Sequence, residues 1–126
     1  MEAEADSALA VSRAYFGAWT GSRKFDVALR YIDESIVCDT PAGRLEGIEA
    51  FRGFMEPFTK ILTRAELIAA FGDDTTALLM YDTDTVPVKH APGAEFHVVR
   101  AGKISYLRII FDRMPFEAAR QAPPSG

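Results

Sequence analysis

Among the side chains able to move a proton, three stand out by their setting in the sequence: Asp39, Tyr15 and His97. Asp39 closes the apolar run "SIVCDT" and stands just before a Pro-Ala-Gly break. Strand side chains alternate between faces, so a Val37 that faces a pocket takes Asp39 into it as well. A carboxylate among apolar side chains is desolvated and becomes a stronger base. The competing reading is an Asx-type turn, because Asp before Thr-Pro readily bonds its own backbone. Tyr15 lies in "AYFGAW", where a phenol can simply pack within an aromatic stripe, its hydroxyl on any nearby acceptor. His97 alternates with Phe96 and Val98 in "AEFHVVR". A strand histidine is commonly satisfied or solvent-facing, but its ring N–H can donate to an oxyanion, and more strongly when protonated.

Further acids lie in "LLMYDTDTV", with Met80, Asp82 and Asp84 on one face and Leu79, Tyr81 and Thr83 on the other. If the first face turns inward, Met80 and Asp82 line the pocket and two carboxylates can divide acid and base roles. If the strand leaves the core near Asp82, both acids are solvated. Cys38 is out of phase with Asp39 and has no base beside it in sequence, so it reads as a small buried hydrophobe. Asp112, before "RMPFEA", reads as a helix cap. Two histidines, at 90 and 97, and one cysteine give no metal-ligand spacing, so no metal is expected. Phosphate loops and nucleophile elbows are missing too, and no cofactor is expected.

The elements that must position these residues follow from periodicity. Leu9, Ser12, Tyr15, Phe16 and Trp19 fall at helical steps and predict a helix over 5–20. Gly21 suits its end and Ser22 a cap for the next helix, "FDVALRYI" (25–32). "SIVCDT" predicts a strand. A third helix runs from Gly47, with Ile48, Phe51, Phe54, Met55, Phe58, Ile61 and Leu62 on one wide face and a loosening at Pro57. From about residue 64 the period falls to two. "AELIAAF" and "ALLMYDTDTV" flank the turn "GDDT", and "AEFHVV" and "ISYLRIIF" flank "RAGK". "VPVKHAPG" between the pairs reads as a loop or an edge. "DRMPFEAAR" predicts a last helical turn. Helices segregated from consecutive strands indicate α+β.

At 126 residues, 48% hydrophobic and 25% charged, the chain fits one globular domain with a core over about 8–118 and flexible residues 1–6 and 121–126. A net charge of −4 argues against nucleic acid as a partner, because phosphate binding needs clustered cations. No apolar stretch approaches the roughly 20 residues that span a bilayer, so no membrane role is expected. The opening "MEAEADSA" lacks the basic and apolar regions of a signal peptide. With a lone cysteine that excludes an internal disulfide, the expectation is a cytoplasmic protein.

This order of elements resembles the nuclear-transport-factor-2-like (NTF2-like) superfamily, which includes ketosteroid isomerases, limonene-epoxide hydrolases and SnoaL-like polyketide cyclases. The resemblance rests on "AYFGAW", "VCDTPAGRLEGIEAFRGF" and "EFHVVRAGKISYLRIIFD". It implies a cone, in which a strongly curved antiparallel sheet wraps the helices of the N-terminal half around a deep apolar pocket. Asp39 then matches the general base of the isomerases. Tyr15, 24 residues earlier, matches their phenol donor to the enolate oxygen. His97 departs from the pattern, standing where the isomerases carry a protonated aspartic acid. The hydrolase pattern is less well met, since its last-strand acid is replaced by Ile109.

The resemblance therefore implies proton abstraction, leading to isomerisation or cyclisation, on an apolar or polyketide-like carbonyl compound. Asp39, Tyr15 and His97 would act. Val37, Met80 and Asp82 would line the pocket with Phe16, Trp19, Phe51, Phe54, Met55 and Phe58 from the helices and Leu107, Ile109 and Phe111 from the last strand. The alternative is a non-catalytic ligand-binding or assembly module on the same cone. A homodimer through the sheet face is expected in either case, with Ile104 and Ile110 on one face of the last strand and Leu107 and Ile109 on the other.

Overall fold

Ser7 starts the first helix by accepting the backbone N–H of Ala10 on its hydroxyl, at 3.1 Å. A computed structural model describes residues 7–21 and 24–121; the expected helix start at residue 5, the Ser22 cap and the ends expected to be flexible, 1–6 and 121–126, lie outside them, except that Gln121 is the last residue of a helix. Helix α1 (Ala8–Gly21) buries Ala8, Val11, Ser12, Tyr15, Phe16 and Trp19, the three- and four-residue steps of one face. Helix α2 (Phe25–Leu29) is shorter than the expected 25–32. The sheet claims its last residue: Ile32 begins β1 (Ile32–Thr40) opposite Ile104, and Ile104 N–H donates to the Tyr31 carbonyl.

The Pro-Ala-Gly break is a hairpin turn that returns as an additional short strand, β2 (Gly43–Glu46). Gly43 and Gly47 hold φ of 133° and 93°, values that side chains resist. Helix α3 (Ile48–Ile61) runs through Pro57, which lies on its exposed side, while Phe51 and Met55 are buried.

The rest is a meander of β3 (Leu62–Gly72), β4 (Thr76–Thr85), β5 (Gly93–Arg100) and β6 (Lys103–Phe111), ending in α4 (Met114–Gln121). Asp73 builds the first turn by accepting the N–H groups of Thr75 and Thr76. Ala101 and Gly102, with φ of 50° and 77°, make the second. The strand order is β2-β1-β6-β5-β4-β3, with β1 parallel to β6 and every other pair antiparallel. This curved, unclosed sheet and the helices form the expected α+β cone.

Strand parity corrects several expectations. Ile36 and Cys38 point into the core at 0% exposure, so Val37 and Asp39 belong to the outer face. On β4 the inner row is Leu79, Tyr81, Thr83 and Thr85. Met80 is 53% exposed, and Asp82 shares its outer face. Neither lines a pocket. Ile104 is buried with Leu107 and Ile109, because the β5–β6 register shifts between Val98 and Val99. The outer face leaves Leu78, Met80 and Ile110 exposed.

Candidate functional site

Glu95 and His97 stand two residues apart on β5, so the pleat turns both into the cone. They are 2% and 0% exposed. His97 Nε2 lies 2.8 Å from Glu95 Oε1, and Nδ1 lies 2.7 Å from the Ser12 hydroxyl on α1. The tautomer that satisfies all three groups carries its proton on Nε2, donating to the carboxylate, while Nδ1 accepts from Ser12. The second carboxylate oxygen accepts from the Tyr81 hydroxyl at 2.5 Å. A buried carboxylate is stable only with such partners. The result is one hydrogen-bonded run, Ser12–His97–Glu95–Tyr81, from the first helix across two strands.

Around this run the core is aromatic. Tyr15 stands edge-on to His97 with centroids 5.7 Å apart, and Trp19 meets Tyr81 at 5.6 Å. The Tyr15 hydroxyl and the Trp19 indole N–H are buried with no protein acceptor among the described residues. Burial, then the Glu95 charge, pushes both the Tyr15 and Tyr81 phenols well above their ordinary range, so both keep their protons. Cys38 is pushed up to about 12, again by burial first and by Glu95 and Asp39 after it. Its thiol is inert, as its buried position suggested.

The run reaches a cavity at Tyr81. An inner chamber of about 70 Å³ is lined by Phe58, Tyr81, Ala91, Pro92, Gly93 and Ile109. An outer chamber of about 590 Å³ opens between α3, α4 and the 86–92 loop, with Pro57, Pro87, Val88, Arg113 and Glu117 on its wall. Phe54, Phe111 and Phe116 belong to both. Of the expected wall residues, Phe54, Phe58, Ile109 and Phe111 line this cavity. Phe16, Trp19, Phe51, Met55 and Leu107 form the core behind it.

Tyr15 and His97 are therefore together, and Asp39 is apart from them. Arg44 binds both Asp39 oxygens, at 2.8 and 2.9 Å, and the Tyr106 hydroxyl donates to one of them at 2.6 Å. Arg44 stands opposite Asp39 on β2, and Arg108 is its neighbour on β6. The hydrogen bonds from Arg44 and Tyr106 hold this carboxyl well below the usual carboxylate range, the reverse of a desolvated base. Because the folded-state value is depressed, its contribution to stability is present above the unfolded pKa of about 3.9 and fades as pH falls through the lower folded value. Asp39→Asn should therefore melt below wild type at pH 7, and the gap should narrow at pH 2.5; an equal gap at both pH values would contradict this.

The sequence reading missed Glu95, Tyr81 and Ser12 as site residues. The signal for Glu95 was available in "EFH": whichever way His97 faces, Glu95 faces too. Asp112 does accept the Met114 N–H at 3.0 Å, as expected of a cap. Among the described residues no group of three or more His, Cys, Asp or Glu could hold a metal ion. No helix among them is long and apolar enough to cross a membrane.

Comparison with known proteins agrees with the fold. No curated protein matches the chain. A crystal structure of a protein from Kribbella flavida DSM 17836 is 60% identical, over 90% of this chain and 93% of that one, with a TM-score of 0.87. An NTF2-like protein of unknown function from Cytophaga hutchinsonii ATCC 33406 is 21% identical, over 86% and 92%, with a TM-score of 0.71. A candidate polyketide cyclase from Sinorhizobium meliloti is 19% identical, over 79% and 93%, with a TM-score of 0.69. These last two share the fold. The SnoaL-like domain family matches residues 12–107, and with that span inside the cone described above, the chain belongs to this family of the NTF2-like superfamily.

Proposed function

We propose that this protein takes a small apolar carbonyl compound into the two-chambered cavity and shifts a proton on it, giving isomerisation or cyclisation. The observation that carries the reading is the hydrogen-bonded run that ends at the cavity wall in Tyr81. A proton leaving the carbon beside the carbonyl passes to the Tyr81 oxygen as the Tyr81 proton passes to Glu95 Oε2. The C–H electron pair becomes the enolate. Return of the proton along the same path to another carbon completes an isomerisation and restores both side chains. His97, held by Ser12, fixes the carboxylate that receives the proton, a positioning role. The Tyr15 hydroxyl, whose proton no group among the described residues accepts, is core and lines neither chamber, so the scheme gives it no contact with the enolate oxygen. Asp39 has no part in this scheme, since it lies on the outer face of the sheet, bound by Arg44 and Tyr106.

A non-catalytic binder is the second reading. It is favoured by one observation: Tyr81 apart, the inner chamber is walled by apolar side chains and backbone, and the acid lies behind the wall. Deuterium exchange separates the two. With 2-tetralone in D2O, an acid–base site should raise α-deuteration above the buffer rate, and Glu95→Gln should return it to that rate. Binding without accelerated exchange would sink the enzyme reading and leave the binder. The homodimer is proposed through the outer sheet face, where the exposed Met80 and Ile110 flank the half-buried Ala94 in one row.

A further inference from the structure

Gly93 is the first residue of β5, pairs with Tyr81 across the sheet and with Phe111 on the other side, and is buried. The Tyr81 ring lies directly over its backbone. A Cβ on residue 93 would come within 2.8 Å of Tyr81 Cε1 and 3.1 Å of the Tyr81 hydroxyl oxygen. Real side chains do not approach so closely, so any side chain at 93 must push the phenol aside. The phenol is the floor of the inner chamber and the donor to Glu95. Gly93 has no positive φ that would itself require glycine. Here the need for glycine comes from space.

The chamber sizes limit what can meet that floor. An apolar cavity of roughly 150 Å³ accommodates benzene. The inner chamber, at about 70 Å³, is too small for a ring. The outer chamber, at about 590 Å³, lies in the range of about 300–1,000 Å³ usual for small-molecule sites. A ligand that fills both therefore keeps its rings outside, among Phe54, Phe111 and Phe116, and sends only a narrow end inward. The one polar side-chain atom in the lining of that chamber is the Tyr81 oxygen.

We infer that Gly93 is a specificity-determining residue: by seating the Tyr81 phenol it keeps open a slot that admits a single small polar group, so that the site selects flat apolar ring compounds ending in an unhindered hydroxyl, whose proton the Tyr81 oxygen accepts while its own stays on Glu95. This rests on the proposal that the cavity is a ligand site and adds the shape of the ligand and the residue that sets it.

The test uses two ring probes, 2-naphthol and its tert-butyl ether, which carries the same rings but a blocked end. Fluorescence titration of the wild type should show 2-naphthol bound at least tenfold more tightly than the ether. Gly93→Ala should bring the two affinities within about threefold of each other, chiefly by weakening 2-naphthol, while the ether keeps its affinity. A purely structural role for Gly93 would weaken both probes alike, and that outcome overturns the inference. Should Gly93→Ala fail to fold, amide shifts in the wild type decide: 2-naphthol should move Gly93 and Ala94, and the ether only residues 111–117. Equal perturbation of Gly93 by both probes would also overturn it. If the wild type binds neither probe, the ligand-site reading falls and the inference with it; if it binds both equally, the inference alone falls.

Discussion

Glu95→Ala is expected to lower the unfolding free energy by about 3–5 kcal/mol, the cost of breaking one partner out of a buried charged network. The reason is the position of Glu95 between two donors. Its removal leaves His97 Nε2 without an acceptor in the closed core and takes from the Tyr81 hydroxyl the acceptor it holds there. Against a total stability of about 5–15 kcal/mol for a domain of ordinary size, this is a large fraction. It should appear as a marked fall in the urea midpoint. Glu95→Gln keeps one acceptor oxygen and should lose less. A double-mutant cycle gives the sharper check: Tyr81→Phe should cost less in the Glu95→Ala background than in wild type, because the hydrogen bond is already gone. Additive effects would mean that Tyr81 and Glu95 are not coupled as their geometry indicates.

The second large effect tests which face of β1 is buried. Ile36→Asn should destabilise by about 3 kcal/mol or more, since it leaves a cavity and an unpaired amide in the core. Ile36 is 0% exposed and belongs to the main core cluster. Val37→Asn, one residue on and partly exposed on the outer face, should cost less than about 1 kcal/mol. Thermal melts of the two variants suffice. The reverse order of stability would place Val37 inward and restore Asp39 as a pocket residue.

Much of the fold was legible in the order of residues. The aromatic stripe of α1, the wide apolar face of α3, the change of period near residue 64 and the turns "GDDT" and "RAGK" each state a local preference that packing then uses. The boundary of α2 and the short β2 were not legible, because both depend on pairing with a distant strand. Ile32 joins the sheet through Ile104, and Gly43–Glu46 is a strand only because β1 lies beside it.

The candidate site divides along the same line. That an acid, an imidazole and phenols lie in one α+β cone of this family follows from residue types, periodicity and motif order. Which acid enters the cone does not. The runs Ile36-Val37-Cys38 and Leu78-Leu79-Met80 are apolar at both parities, so alternation within them favours neither face. Their direction is set across the sheet. Arg44 and Arg108 flank Asp39 from the neighbouring strands and give its charge a place outside the core. Leu107 stands beside Cys38 and extends the inner row. Glu95 enters instead because Ser12, His97 and Tyr81, from three separate elements, meet its two oxygens or the ring that holds them. A carboxylate is buried where donors converge on it, and that convergence exists only once the chain has folded.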